Sequence, residues 1–343
     1  MYIFVRLFVR VDFLIERTKH ESMTLRMILF RTGAGILLAL AFMCGETGCS
    51  HAQNNKEKVE VFHEKKTFTL PEIPSALTSY ENRAAYLVSH FWENYDFGDT
   101  AQISKSEITE QAFVDFLDVL NHVPAEKGHE ALRVLMDSAS VNNGMFLHFM
   151  SLAEKYLYDP NSPFRNEDFY IPVLNAVVSS SQLDETYKVR SRFQLKTVMK
   201  NRPGSIASDF VYTLSSGASL KMSSLKADYT ILFFNNPECH DCQRVKEYIK
   251  KSQVFNHMTQ ANSIPHLIIL AVYPDADIPL WKRGDYPPMM INSYDAGQVI
   301  TNKELYDLKA IPTFYLLDEG KKVIMKDAPI EQIEAWLQMV INN

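Results

Sequence analysis

Tyr229–Phe234 is an almost unbroken apolar run, and shortly after it comes Cys239-His240-Asp241-Cys242. A run of that kind suits a strand buried on both faces. A Cys-x-x-Cys between the end of a strand and the start of a helix is what reversible dithiol–disulfide chemistry requires. The first sulfur projects from a helix N-terminus, where free backbone amides and the helix dipole favour a thiolate. The second, one turn on, is close enough to attack a mixed disulfide. Cys239 is therefore the expected nucleophile and Cys242 the expected resolving thiol.

The rest of the chain arranges itself around that pair. At 343 residues it is long enough for two domains, and its net charge of −6 gives no basic patch for nucleic acid. The region 1–52 reads as an export signal: Arg26 and Arg31 flank Met27–Phe30, and Ala34–Met43 form an apolar core of about ten residues, short of the roughly 20 that span a bilayer. Met1–Ser22 is too charged for a signal start, so Met23 or Met27 is the expected initiator. Two processing readings stand side by side. Ser50-His51-Ala52 fits signal-peptidase cleavage before Gln53, and Cys49 after Gly48 fits a lipid-anchored lipoprotein, although Glu46 stands where an aliphatic residue is wanted. Either leaves Cys239 and Cys242 without another cysteine in the folded part and implies the periplasm or cell envelope.

Residues 53–70 read as a polar tether. From 71 to 200 the apolar period is helical, with Tyr80, Ala84, Leu87, Val88, Phe91, Trp92 and Tyr95 on one face, so a small all-α domain is expected. Its helices are predicted near 109–122, 127–141, 144–157, 166–179 and 185–200; the basic residues of the last, Lys188 to Lys200, read as a solvated face. Asn201-Arg202-Pro203-Gly204-Ser205 reads as a linker. The second domain, 204–343, alternates strands and helices. Hairpins are expected around Ser216-Gly217 and Glu319-Gly320, a strand over His266–Tyr273, and helices at Cys242–Lys251, around Trp281, over Thr301–Leu308 and over Ile330–Ile341.

Residues 207–343 resemble the thioredoxin superfamily, closest to TlpA/ResA-like exported thiol–disulfide oxidoreductases. Tyr229–Phe234 matches the strand before the active site, Cys239-His240-Asp241-Cys242 the redox motif, and Ala310-Ile311-Pro312-Thr313 the loop whose proline is cis in that family. The resemblance implies an α/β thioredoxin-like fold, a central mixed sheet flanked by helices. It also implies a client groove shaped by Ile311 and Pro312, disulfide-bearing client proteins, a membrane thiol donor and no organic cofactor. Phe233 stands where thioredoxins bury an acidic residue, and Glu238 where they carry tryptophan. The preceding region, on Pro71-Glu72-Ile73-Pro74, Glu81–Leu87 and Phe91-Trp92, resembles a bacterial domain of unknown function found before such domains.

Glu238, His240 and Asp241 tune the dithiol's ionisation. A helix terminus favours the thiolate by about 0.3–1 kcal/mol. A carboxylate about 7 Å away opposes it by roughly 1 kcal/mol at an effective dielectric of about 40. His240 adds little near neutral pH. The terms nearly cancel, so the expectation is a reducing couple, nearer the roughly −270 mV of thioredoxin than the roughly −120 mV of a strong oxidant. A zinc site is disfavoured because Cys239, His240 and Cys242 fall short of four well-placed ligands, His257 and His266 reading as surface or packing residues. Haem attachment is excluded by Gln243 after the second cysteine. The rival reading is a redox-inactive thioredoxin-fold module that binds or assembles partners together with the helical domain.

Overall fold

The computed structural model describes residues 68–260 and 265–342. The signal region, Cys49 and residues 53–67 of the tether lie outside the described residues. By packing, the chain divides into two compact units that part between Tyr156 and Leu157.

The first unit is helical: α1 Tyr80–His90, α2 Thr109–Leu120, α3 Ala125–Ala139 and α4 Asn143–Ala153. Side-chain caps at Ser79 and Asn142 satisfy amides at the starts of α1 and α4. Most of the stripe read from the sequence turns inward, with Leu87, Val88 and Phe91 buried together with Phe113, Phe116 and Phe149, while Tyr80 at its start stays exposed. Each such side chain contributes about 1.5–3 kcal/mol on burial. Trp92 sits at the centre of an aromatic cluster, edge-on to Phe116 and Phe149, so it is a core residue. Phe68 stacks on Phe91 with centroids 5.2 Å apart, so the tether read over 53–70 is already core by its end.

The second unit holds α5 Glu167–Ser179, α6 Glu185–Val198, and a seven-stranded mixed sheet of order β2-β1-β5-β4-β3-β6-β7. Its strands are β1 Val211–Leu214, β2 Ser219–Lys221, β3 Tyr229–Phe234, β4 Leu267–Tyr273, β5 Met290–Tyr294, β6 Thr313–Asp318 and β7 Val323–Lys326. Helices α7 His240–Lys251, α8 Gln253–Thr259, α9 Ile278–Lys282, α10 Val299–Asn302 and α11 Ile330–Asn342 complete it. Alternate residues of β3 feed two cores. Ile231 and Phe233 join Val245, Ile249 and Leu337 on one face; Leu232 and Phe234 join Phe210, Tyr306 and Tyr315 on the other.

Three expectations change. The helix expected over Thr301–Leu308 ends at Asn302, because Glu304 turns to φ 49° and Leu305 N–H bonds back to Ile300 O. The stretch 201–205 is not a free linker: Gly204 N–H donates to Val323 O and Val323 N–H to Ser205 O, both at 2.8 Å, laying the segment along β7. The basic face of α6 is only partly solvated, since Lys188 is buried and Lys196 and Lys200 pair with Glu304.

A buried ionic network explains why α5 and α6, read as the end of the all-α segment, pack with this unit. Glu167, at the start of α5, takes Lys309 and Lys326, the latter at 2.8 Å. Lys326 also donates to Val198 O and Lys200 O at the end of α6. Burial alone would raise the Glu167 carboxyl, but the two lysines outweigh it and hold it below the usual range. Asp327 differs. Although Arg165 pairs with it at 3.1 Å, burial dominates and pushes it up to about 6.

A folded-state value above the ordinary 3.8 means that the Asp327 contribution is full below pH 3.8 and is lost as pH rises through about 6. From pH 7 to pH 5, wild type should gain about 1 kcal/mol of unfolding free energy relative to Asp327→Asn. Asparagine tolerates the left-handed backbone at this position, φ 53°, so the comparison isolates charge. Urea unfolding at pH 5, 6 and 7 reads the difference; a gap between the two proteins that does not move with pH would sink the assignment.

Candidate functional site

Antiparallel pairing of β3 with β6 sets Phe234 opposite Thr313, and the site forms where both chains leave that rung. Asn235 is fully buried at the exit from β3. Its side-chain amide donates to Phe233 O and Val272 O, and its Oδ1 accepts from Tyr286 Oη at 2.7 Å. A buried polar atom is costly without such a partner, so Asn235 pins the strand end. Asn236 then closes a turn: its Oδ1 accepts from Glu238 N–H, and its carbonyl from Cys239 N–H.

Cys239 is the N-cap of α7. Its Sγ accepts from Cys242 N–H at 3.1 Å and donates to Ile311 O at 3.5 Å, joining the helix start to the loop before β6. The Ile311-Pro312 peptide bond is cis. Both cysteines are free thiols; Cys239 is partly exposed and Cys242 buried. Burial, the hydrogen bond with Cys239 and the charge of that neighbour push the Cys242 thiol up, while a hydrogen bond with the Asn236 backbone and, more weakly, the charge of Lys246 act in the opposite direction.

The structure thus brings Cys239, Cys242, Ile311 and Pro312 together. Glu238, His240 and Asp241 surround the dithiol but are exposed, and Asp241 lies 3.5 Å from Arg244. His257, on α8, and His266, just before β4, are exposed, the latter paired with Asp228. Phe233 is fully buried and stacks on Phe314 with centroids 4.7 Å apart, so an aromatic pair fills the place of the buried acid.

Some residues went unremarked in the sequence. Lys246 is 6% exposed; its Nζ donates to Asp285 O at 2.7 Å and lies 4.4 Å from the Tyr286 ring centroid. Lys246 follows Cys242 by one helical turn, a spacing that could have marked it. Gly284 holds the facing loop close: a Cβ there would sit 2.7 Å from Tyr286 and 3.2 Å from Pro237. Between α7 and this loop opens a cleft of about 620 Å³ lined by Glu238, Gln243, Lys246, Arg283 and Tyr286.

Residues 44–201 match the model of a domain of unknown function, DUF5106, a boundary later in the chain than the packing division after Tyr156. No curated protein matches the chain. Among solved structures, the C-terminal domain of an uncharacterized protein from Bacteroides fragilis is 45% identical, with a TM-score of 0.39, and covers 40% of this chain and 98% of its own. The thioredoxin domain of a thiol–disulfide oxidoreductase from Bacteroides vulgatus is 18% identical, with a TM-score of 0.35, over 40% of this chain and 97% of its own. A thioredoxin-like protein from Bacteroides caccae is 46% identical over 80% of this chain and 99% of its own, with a TM-score of 0.78. With the dithiol at the head of α7 and that likeness running through both units, the chain belongs to the thioredoxin-like proteins.

Proposed function

We propose that this chain is a thiol–disulfide oxidoreductase, exported to the periplasm or cell envelope, that reduces disulfides of client proteins. The observation that carries the reading is the asymmetry of the pair. Cys239 is partly exposed at the helix start, with its sulfur on an amide and on Ile311 O, whereas Cys242 is buried behind it. An accessible sulfur can meet a protein disulfide, and a buried one can react only with its neighbour.

The electron count follows from that division. The Cys239 thiolate attacks one sulfur of the client disulfide, forming a mixed disulfide and expelling the other sulfur as a thiolate that takes a proton. Cys242 then gives up its proton and attacks Cys239 Sγ. The Cys239–Cys242 disulfide forms, the bond to the client breaks, and two electrons have passed to the client. A membrane dithiol of lower potential would return them. Ile311 and Pro312 flank the reacting sulfur and would line the client's path. The reading of 1–52 as an export signal, with the alternative lipid anchor at Cys49, is what supports the proposed compartment.

Two outcomes are expected. Insulin-disulfide reduction should occur with wild type and vanish in Cys239→Ser, while Cys242→Ser should hold clients as mixed disulfides released by reductant. Partners that stay bound under reductant, with no mixed disulfide, would favour the binding module instead. The couple should also be reducing, because Glu238 and Asp241 offset much of what the helix terminus gives the thiolate. Equilibration with glutathione should place it near the roughly −270 mV of thioredoxin, and a value above about −180 mV would overturn this part of the reading.

A further inference from the structure

The resolving thiol poses a problem that the aromatic pair Phe233–Phe314 leaves unsolved. Cys242 is 0% exposed and packed among Ile231, Phe233, Val245 and Ile311, yet it must carry negative charge before it can attack Cys239. An isolated anion in such surroundings is expensive. Phe233 supplies no charge on the strand side; the buried charged side chain on the helix side is Lys246.

Cys242 and Lys246 lie at positions i and i+4 of α7, so their side chains share one face with Cβ atoms about 5–6 Å apart. Lys246 is held by the facing loop, with Asp285 O accepting one of its protons and the Tyr286 ring beneath it. Tyr286 is in turn fixed by Asn235, at the exit of β3, which ties the lysine to the strand that delivers the dithiol. The ammonium's direct contacts are a carbonyl and a ring face, and Asp285 stands near enough for its charge to act on the ammonium as well.

We propose that Lys246 is a positioning residue for the second half of the exchange, its ammonium holding the charge of the Cys242 thiolate while that sulfur attacks Cys239. The proposal rests on the dithiol reading above. In the balanced step, the Cys242 S–H bond and the Cys239–client S–S bond break, and the Cys239–Cys242 bond forms. The departing client sulfur ends with the proton that Cys242 lost. Lys246 stays protonated throughout and is neither oxidised nor reduced. Burial lowers the Lys246 ammonium, and the charges of Cys242, Asp285 and Cys239 raise it; a thiolate beside it therefore stabilises both ions. The other charged or titratable groups on this side are Glu238 before the helix, Glu247 and Lys250 on it, and Arg283 and Tyr286 on the facing loop. From the sheet, β3 and β6 present the uncharged Phe233 and Phe314.

An aryl disulfide such as dithiobis(nitrobenzoate) separates the two steps on the full chain. The first coloured thiolate leaves when Cys239 attacks, the second when Cys242 resolves, and stopped-flow absorbance reads both. Lys246→Met keeps the apolar stem and removes the charge. It should slow the second release about ten-fold at pH 7, far more than the first, and move the pH midpoint of that release upward. Lys246→Arg should restore most of the rate. Lys246→Gln, which can still donate to Asp285 O, should behave like Met and serves if Met does not fold. A second release unchanged in rate and midpoint in folded Met or Gln variants would overturn the proposal, as would an Arg variant as slow as Met. Failure of wild type to form an adduct at Cys239 would overturn the dithiol reading itself, which is a different result.

Discussion

The register of β3 is the constraint on which the rest depends. It pairs in parallel with β4 from Tyr229↔Leu267 to Phe234↔Val272, and antiparallel with β6 from Tyr229↔Asp318 to Phe234↔Thr313. Because side chains alternate, a slip of one residue would carry Ile231 and Phe233 out of one core and into the other. It would also part the loop ending at Cys239 from the loop ending at Pro312. The 3.5 Å contact between Cys239 Sγ and Ile311 O is thus a long-range product of backbone pairing. The apolar residues between the strands are what make that pairing unique.

Polar groups inside the second unit are distributed by the same logic. Asn235, Tyr286 and Lys246 form a chain of satisfied contacts on the dithiol side. Glu167, Lys309, Lys326, Arg165 and Asp327 form a second at the start of α5. Lys309 stands next to Ala310, so the second network also steadies the approach to Pro312. Breaking a buried pair by removing one partner typically costs about 3–5 kcal/mol, since the other charge is left without compensation. Such networks therefore bind their elements together more through the penalty of separation than through net attraction.

Much of this was legible in the sequence where one physical signal dominated. The helical period of Tyr80 to Tyr95 located α1, although the helix ends earlier, at His90, and the apolar run of Tyr229–Phe234 located β3 to the residue. The Cys-x-x-Cys and the Ile311-Pro312 loop were found by motif, and the backbone brings them together. What escaped had weak or contrary local signals. In β5, Asn292 and Ser293 interrupt the apolar texture, and the strand exists because β4 and β1 pair with it. Helix α8 is short and follows α7 with only Ser252 between them, so the two blur into one stretch. Lys246 reads as one more helix lysine until the loop around Gly284 folds over it. The 201–205 segment has the composition of a linker, and only the carbonyl and amide of Val323 reveal its place.

That segment has a consequence for the molecule as an object among its own copies. Laid along β7, with Ala207 N–H also donating to Lys321 O, it occupies hydrogen-bonding positions that a foreign strand would otherwise take. At the opposite end of the sheet, β2 offers 3 exposed residues, and one of them is Lys221. A sheet covered at Lys321 and Val323 on one side by its own chain, and ended on the other by a short strand carrying a lysine, is a poorer template for edge-to-edge growth. A stretch that looks like mere connection thereby works as a guard against aggregation.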